Sequence, residues 1–483
     1  MTPNIISALG EIVSKKNILT DPVHLTAYSY DGTPVMSRMP EAVIFPENAE
    51  QISAVMRLAN AERFAVVPRG SGTGLSGGSI PVENSVVMVL TKWNKILEID
   101  RANLTAWVEP GVITEKLQTE VEKLGLFYPP DPGSGKICTL GGNVAENAGG
   151  LRGLKYGVTK NYVMGLEAIL PNGEILRIGG KNVKDVAGYN LRDIMVGSEG
   201  TLAIFTKILL KLIPKPQKSI TMTAYFDSIT DSGKAVADII AAHVTPTIME
   251  FLDNTTINCV EDFIPTGLPR KSEAILIIEV DGKGAEVDED AEKVFKALKK
   301  NGSTFVKVAG SAEEAALLKE ARRMALSALA RVRPTTILED ATVPRSELPV
   351  MIEKVKEAAK MFDVTIGDFG HAGDGNLHPT CLTDERDKQG IERAHRAFDF
   401  IFNEAIKLGG TITGEHGTGL AKRDFLENVA GNVGIDFMKK LKLSLDENNI
   451  LNPGKIITSK PKCEGPLPGR REDIPEKPHG HTH

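Results

Sequence analysis

The sequence predicts an α+β protein built as two domains in succession, and three observations lead there. The chain has 483 residues, too many for one hydrophobic core at ~100–200 residues per domain. Short β-rich runs alternate with glycine-dense loops as far as Leu212; beyond it, strands are each followed by a helical segment. Between the two stretches, Pro214-Lys215-Pro216 breaks a strong strand and sets a boundary after residue 217.

Residues 1–40 read as a short amphipathic helix and a polar segment, ahead of a first domain over 41–217. Its strands are expected at Ala42–Phe45, Ala65–Pro68, Ser85–Leu90, Thr105–Val108, Met164–Leu170 and Thr201–Leu212. Helices fall at Ala49–Arg63 and at Thr114–Leu124, where Leu117, Val121 and Leu124 keep helical spacing and Gly125 ends the run. The second domain, 218–457, is expected to lay helices on one face of an antiparallel sheet that includes Thr221–Phe226 and Ala274–Val280. Ser311 and Glu314 form a capping box for a helix carrying Arg322 and Arg323. A further helix, Ile391–Leu408, stops at a glycine pair, and the proline-rich residues 458–483 read as a mobile tail.

Composition excludes several classes. A net charge of −6 argues against a protein built to coat nucleic acid. No apolar run reaches the ~18 residues of a membrane span, and no signal peptide is legible, so a cytoplasmic location is expected, with membrane attachment only through a partner. The four cysteines stand apart, which leaves no pair for a metal knot or an iron–sulfur cluster.

The densest glycine cluster is Pro68-Arg69-Gly70-Ser71-Gly72-Thr73-Gly74-Leu75-Ser76-Gly77-Gly78. Gly72–Gly77 matches G-x-G-x-x-G, but a Rossmann turn opens into a helix, and this loop runs into Ser79-Ile80-Pro81-Val82 and another strand. What remains is a strand–loop–strand phosphate cradle, in which glycines let backbone N–H groups approach an anion closely.

Two more segments join it: Asp131 through Gly150, including Thr139-Leu140-Gly141-Gly142-Asn143-Val144-Ala145-Glu146-Asn147, and Gly197-Ser198-Glu199-Gly200-Thr201-Leu202-Ala203-Ile204. Here the chain resembles the vanillyl-alcohol-oxidase/p-cresol-methylhydroxylase flavoprotein superfamily over residues 20–457. The branch it resembles contains D-lactate dehydrogenases, the glycolate oxidase catalytic subunit and D-2-hydroxyglutarate dehydrogenase. The resemblance implies a two-subdomain PCMH-type FAD-binding domain followed by an α+β cap domain. It implies FAD contacts at Arg69, Gly70, Ser71, Gly72, Thr73, Gly74, Leu75, Asp131, Thr139, Gly142, Asn143, Asn147, Gly157, Glu199, Gly200, Ile204 and Asn452. With no histidine between His24 and His243, the flavin is expected to be non-covalent and Cys138 a plain thiol.

Three histidines fall in two short segments, His371-Ala372-Gly373-Asp374-Gly375-Asn376-Leu377-His378 and Thr413-Gly414-Glu415-His416. Asp374-Gly375 reads as a two-residue hairpin turn that would set His371 directly opposite His378, close enough to share one divalent ion. Two histidines and a carboxylate leave coordination positions open, as a catalytic metal needs. The resemblance assigns His371, His378 and Glu415 as metal ligands, zinc first, and His416 as catalytic base. It also implies that Arg322, with Asn376 nearby, holds the substrate carboxylate, which leaves Arg323 to face solvent. Thr336-Ile337-Leu338-Glu339 offers no cation for a second carboxylate.

The expectation is therefore an FAD- and metal-dependent dehydrogenase of a short D-2-hydroxy acid, D-lactate before glycolate. Electrons would leave to an electron-transferring flavoprotein, an iron–sulfur subunit or a quinone. The resemblance leaves two alternatives, D-2-hydroxyglutarate as substrate and a non-redox ether-lipid-synthase-like transferase.

Overall fold

A computed structural model describes residues 1–457; the expected tail, 458–483, with its three histidines, lies outside the described residues. The first sheet has four strands in the order Ile18–Leu19, Ala42–Ile44, Ser85–Val89, Ala65–Arg69. The last three run parallel. Their valine-rich sequences suit burial on both faces, with Val66, Val67, Val86 and Val87 all inaccessible. The N-terminal segment is part of this layer rather than an appendage. Ile18–Leu19 pairs with Ala42–Ile44, and Leu9 and Val13 of the first helix enter the same core.

The second sheet is antiparallel, in the order Ile96–Asp100, Thr105–Val108, Ile204–Lys211, Val163–Ile169, Ile175–Gly179. Its two edge strands went unread in the sequence because their outer faces are exposed and carry charge, as in Ile-Leu-Glu-Ile-Asp. Thr139-Leu140-Gly141-Gly142-Asn143, for which the sequence predicts no helix, starts one over Leu140–Glu146, with the Thr139 hydroxyl accepting from Gly142 N–H.

The third sheet has seven strands: Phe305–Val308, Lys218–Phe226, Ala274–Gly282, Ile248–Asp253, Phe369–His371, Asn376–Leu377 and Ala341–Thr342. Helices Ile229–Ala241, Ala285–Lys300, Leu348–Met361 and Lys388–Lys407 cover one face, burying Phe251, Leu276 and Ile278. The other face is not bare as expected. Asn254–Phe263, Ala312–Arg323 and Ala325–Leu329 pack there against Leu252, Ile275 and Ile277. The helix Ala312–Arg323 is capped by Ser311, but Glu314 accepts from Gly310 N–H rather than closing the box on Ser311.

The histidine hairpin also departs from expectation. His371 pairs with Asn376 and Gly370 with Leu377, so the turn spans four residues, 372–375. His378 then lies opposite Phe369, to whose carbonyl its N–H donates. A shift of two residues preserves the side-chain face, so both imidazoles still meet, with ring centroids 5.0 Å apart.

Candidate active site

A cavity of about 1220 Å³ is lined by all three glycine-rich segments and by residues of the second domain. Because Ala65–Arg69 and Ser85–Val89 are parallel neighbours, residues 70–84 must cross over between them, and they do so without a helix. Among the described residues, the N–H groups of Gly70 through Leu75 find no protein acceptor. A run of unpaired donors on a concave wall is the electrostatic signature of an anion site. Gly72 sits at φ 71°, and a Cβ there would enter the Arg69 guanidinium; one on Gly70 would enter the Thr139 hydroxyl. The crowding shows that these positions bring backbone, not side chain, to the wall.

Thr139, Gly142, Asn143, Glu199, Gly200 and Ile204 line the same cavity. Asn147, Gly157 and Asn452 do not; they shape the walls. Asn147, left-handed at φ 55°, ends the Leu140–Glu146 helix and accepts from Lys160 N–H at 2.9 Å. Gly157, at φ 78°, lies against the Asn161 side chain. Asn452 Nδ2 donates to Gly78 and Glu199 carbonyls at 2.9 and 2.8 Å, tying two loops together. Asp131 is already engaged, 2.7 Å from Arg323 and 3.5 Å from Arg152. Arg323 therefore does not take the solvated role expected of it: it lines the cavity beside Arg322. Cys138 also lines the cavity, and burial pushes its thiol up, away from reactivity.

Asp31 and Glu146 are among the wall residues that the sequence did not single out. Asp31, from the N-terminal segment, accepts from Ser79 N–H at 3.3 Å. Glu146 has a buried oxygen with no partner; burial, then the nearby Glu199 and Asp31, push its carboxyl well up. Glu199 is also pushed up by burial, although Thr418 and Gly419 N–H groups each donate to it at 2.7 Å.

The second-domain wall carries the histidine centre. Glu415 Oε1 lies 2.9 Å from His371 Nε2, 3.3 Å from His378 Nε2 and 3.8 Å from His416 Nε2. Donors bound to one tetrahedral ion at ~2.0–2.1 Å stand ~3.3 Å apart, so His371, His378 and Glu415 fit a divalent metal. Their far sides are also prepared. His371 Nδ1 meets Glu250 Oε1 at 2.7 Å and His378 Nδ1 meets Asp340 Oδ1 at 2.9 Å. Such carboxylates fix the tautomer that turns Nε2 toward an ion. Burial would lower His371, but Glu250 and Glu415 outweigh it and hold its pKa well above the ordinary value. That pocket demands positive charge, which a proton or a metal can supply.

Asp340 anchors the whole loop. Its Oδ2 accepts from Thr413 Oγ1 and from the N–H groups of Gly414, Glu415 and His416, at 3.0–3.2 Å. His416 Nδ1 approaches Oδ1 to 2.6 Å, off hydrogen-bond alignment. Burial opposes the Asp340 charge, yet His416 and Lys422 beside it hold its carboxyl well below the usual range. Neither Asp340 nor Glu250 was singled out from the sequence. Glu250 did leave a signal: it is the lone acid inside the apolar run Ile-Met-Glu-Phe-Leu, and a buried acid needs a partner.

Arg322 is buried, its Nε 2.6 Å from Glu250 Oε2 and its guanidinium 4.7 Å over the Phe369 ring. It lines the cavity with His371, His378, Glu415 and His416. Asn376 does not line it; its Oδ1 accepts from Thr342 Oγ1 at 2.8 Å, beneath Gly414.

Residues 40–179 match the FAD binding domain family, and residues 215–456 match the C-terminal domain of FAD linked oxidases. Glycolate oxidase subunit GlcD of Bacillus subtilis (strain 168) is 51% identical over 457 residues, covering 95% of this chain and 97% of that protein. A D-lactate dehydrogenase of Anaerostipes hadrus is 35% identical, covering 94% and 98%. The fold matches p-cresol methylhydroxylase at a TM-score of 0.78, with 19% identity over 94% of this chain and 96% of that one. The unpaired N–H run and the glycine walls suit the FAD pyrophosphate, and the chain belongs to the FAD-linked oxidases, a family of oxidoreductases.

Proposed function

We propose that the chain oxidises a short 2-hydroxy monocarboxylic acid, D-lactate or glycolate, and passes the electrons to a separate protein. The observation that carries this reading is the placing of Arg322 beside three imidazole Nε2 atoms that converge on Glu415, all on one wall of the flavin cavity. The relative at 51% identity is named for glycolate, which weighs that acid equally with D-lactate.

When bound, the non-covalent flavin supplies the two-electron acceptor for the carbon-bound hydrogen. A divalent ion on His371, His378 and Glu415, zinc by its mixed nitrogen and oxygen donors, would polarise the substrate hydroxyl. The remaining steps belong to the chain. Arg322 turns Nε toward Glu250 Oε2 in an ion pair off hydrogen-bond alignment, and its terminal nitrogens are left for the substrate carboxylate. His416 takes the hydroxyl proton at Nε2, and Asp340 beside Nδ1 stabilises the imidazolium that forms. Leu338 and Phe369 give the wall an apolar patch. The nearby Lys422 is spent on Glu339 and Asp340, at 3.2 and 3.8 Å. Among the described residues beside Leu338 no unpaired cation awaits a second carboxylate, which favours the short acids over D-2-hydroxyglutarate.

Two of the relatives are named as oxidase subunits, and this chain has no cysteine pair for a cluster. An electron-transferring flavoprotein or an iron–sulfur subunit is thus the proposed acceptor. Among the described residues no helix is long and apolar enough to cross a membrane, so any membrane attachment is assigned to that partner. The test is an anaerobic titration of the purified, metal-replete protein with D-lactate, L-lactate, glycolate and D-2-hydroxyglutarate. Bleaching of the flavin band near ~450 nm by D-lactate or glycolate, abolished by a chelator, is expected. A yellow protein that no hydroxy acid bleaches would overturn the reading and favour transferase chemistry.

A further inference from the structure

A second pocket, of about 440 Å³, opens on the opposite face of the seven-stranded sheet from the flavin cavity. It is lined by Asp253 and Asp368 between Ile229, Ile352 and Val355, with Glu273 and Lys356 also on its wall. The register Leu252↔Phe369, carried on by Asp253 N–H donating to Asp368 O at 2.9 Å, sets the two aspartates directly opposite each other. Directly opposed like charges destabilise a sheet. Asp368 is 3% exposed, and both its carboxylate oxygens are buried without a partner. Asp253 uses one oxygen to cap the Asn254–Phe263 helix, accepting from Thr256 N–H at 2.8 Å. Lys360 lines the pocket as well; Lys356 Nζ donates to Glu273 at 3.3 Å, and its charge near Asp253 and that of Arg322 near Asp368 only partly offset the pair. Burial pushes the Asp253 carboxyl up to about 6, and burial together with the neighbouring Asp253 pushes that of Asp368 well up.

We propose that Asp253 and Asp368 bind a hard divalent cation, Mg²⁺ or Ca²⁺, at a site separate from the catalytic centre. Both donors are carboxylate oxygens, with no nitrogen or sulfur, which suits ions of this class and not the metal expected at the histidines. The pocket leaves room for the waters such an ion retains. The site joins strand Ile248–Asp253 to the segment leading into Phe369–His371, and so clamps the base of the strand that presents His371.

The test uses full-length, flavin-loaded protein carrying His371→Ala, which removes a catalytic ligand and leaves the aspartates intact. Calorimetric titration with Ca²⁺ and with Mg²⁺, separately, is expected to show one ion bound per chain. At ~100-fold excess over its dissociation constant the ion should raise the melting temperature by about 2–5 °C. Adding Asp368→Asn should abolish both effects. Asp253→Asn should weaken binding at least about 10-fold while keeping the helix cap, because asparagine caps as well as aspartate. If neither ion binds, and Asp368→Asn raises the melting temperature without added cation, the aspartates share a proton and the proposal is overturned.

Discussion

The two walls of the large cavity solve the same problem, holding charge out of water, by opposite means. The cradle at residues 70–75 presents backbone N–H groups made accessible by glycine. The histidine centre presents side chains, each imidazole backed by a buried carboxylate. A backbone cradle depends on local dihedral angles and is contiguous in sequence. A side-chain centre depends on partners from distant segments, here Glu250, Asp340, the hairpin 371–378 and the loop 413–416. The first should therefore fail by losing the cofactor, the second by losing rate while keeping it.

The largest separation of the two is expected from His371→Ala or His378→Ala. If these residues hold the proposed metal, its loss should lower turnover about 10³-fold, a cost of several kcal/mol, with the flavin spectrum and stoichiometry unchanged. His416→Ala should cost about 10²–10⁴-fold, read at saturating substrate, again with full flavin. If it retains full turnover, the base assignment is wrong. Asp340→Asn touches no substrate and should act through the imidazoles. An effect of about 10–100-fold on turnover or on metal affinity is expected, and a wild-type pH profile with unchanged metal content would sink the positioning role.

On the cradle side, Gly72→Ala forces a side chain to φ 71° and against Arg69. At ~1–2 kcal/mol of backbone strain, FAD affinity should fall about 10-fold, with turnover restored by excess FAD. A turnover defect that excess FAD leaves in place would break the distinction between the walls. The smallest effect is expected from Glu146→Gln. A carboxyl raised above its unfolded value of 4.5 stabilises the fold at low pH and loses that contribution as pH rises through the folded value. Thermal melts should therefore show wild type and variant alike near pH ~4 and the variant gaining a few degrees by pH ~8. Parallel curves would show that Glu146 does not titrate in that window.

Much of this was legible in the sequence for a physical reason. The glycine loop declares itself because backbone that must come close to an anion or a neighbouring side chain leaves no room for a Cβ, as at Gly70 and Gly72. The helix Ala49–Glu62 and the strands Ala65–Arg69 and Ala274–Gly282 follow from apolar periodicity. His371, His378, Glu415 and His416 stood out as titratable residues clustered between glycines.

Other features were decided only by the fold. Hairpin register depends on what the strands pack against, which is why a two-residue turn became four while the imidazoles kept one face. Arg323 became a wall residue because Asp131, far away in the chain, stands 2.7 Å from it. Glu250 and Asp340 acquire their function from histidines that lie 121 and 38 residues further on. The sequence determines which groups can carry charge and where backbone can bend. Which charges neutralise one another depends on distances that exist only once the chain has folded around the cavity.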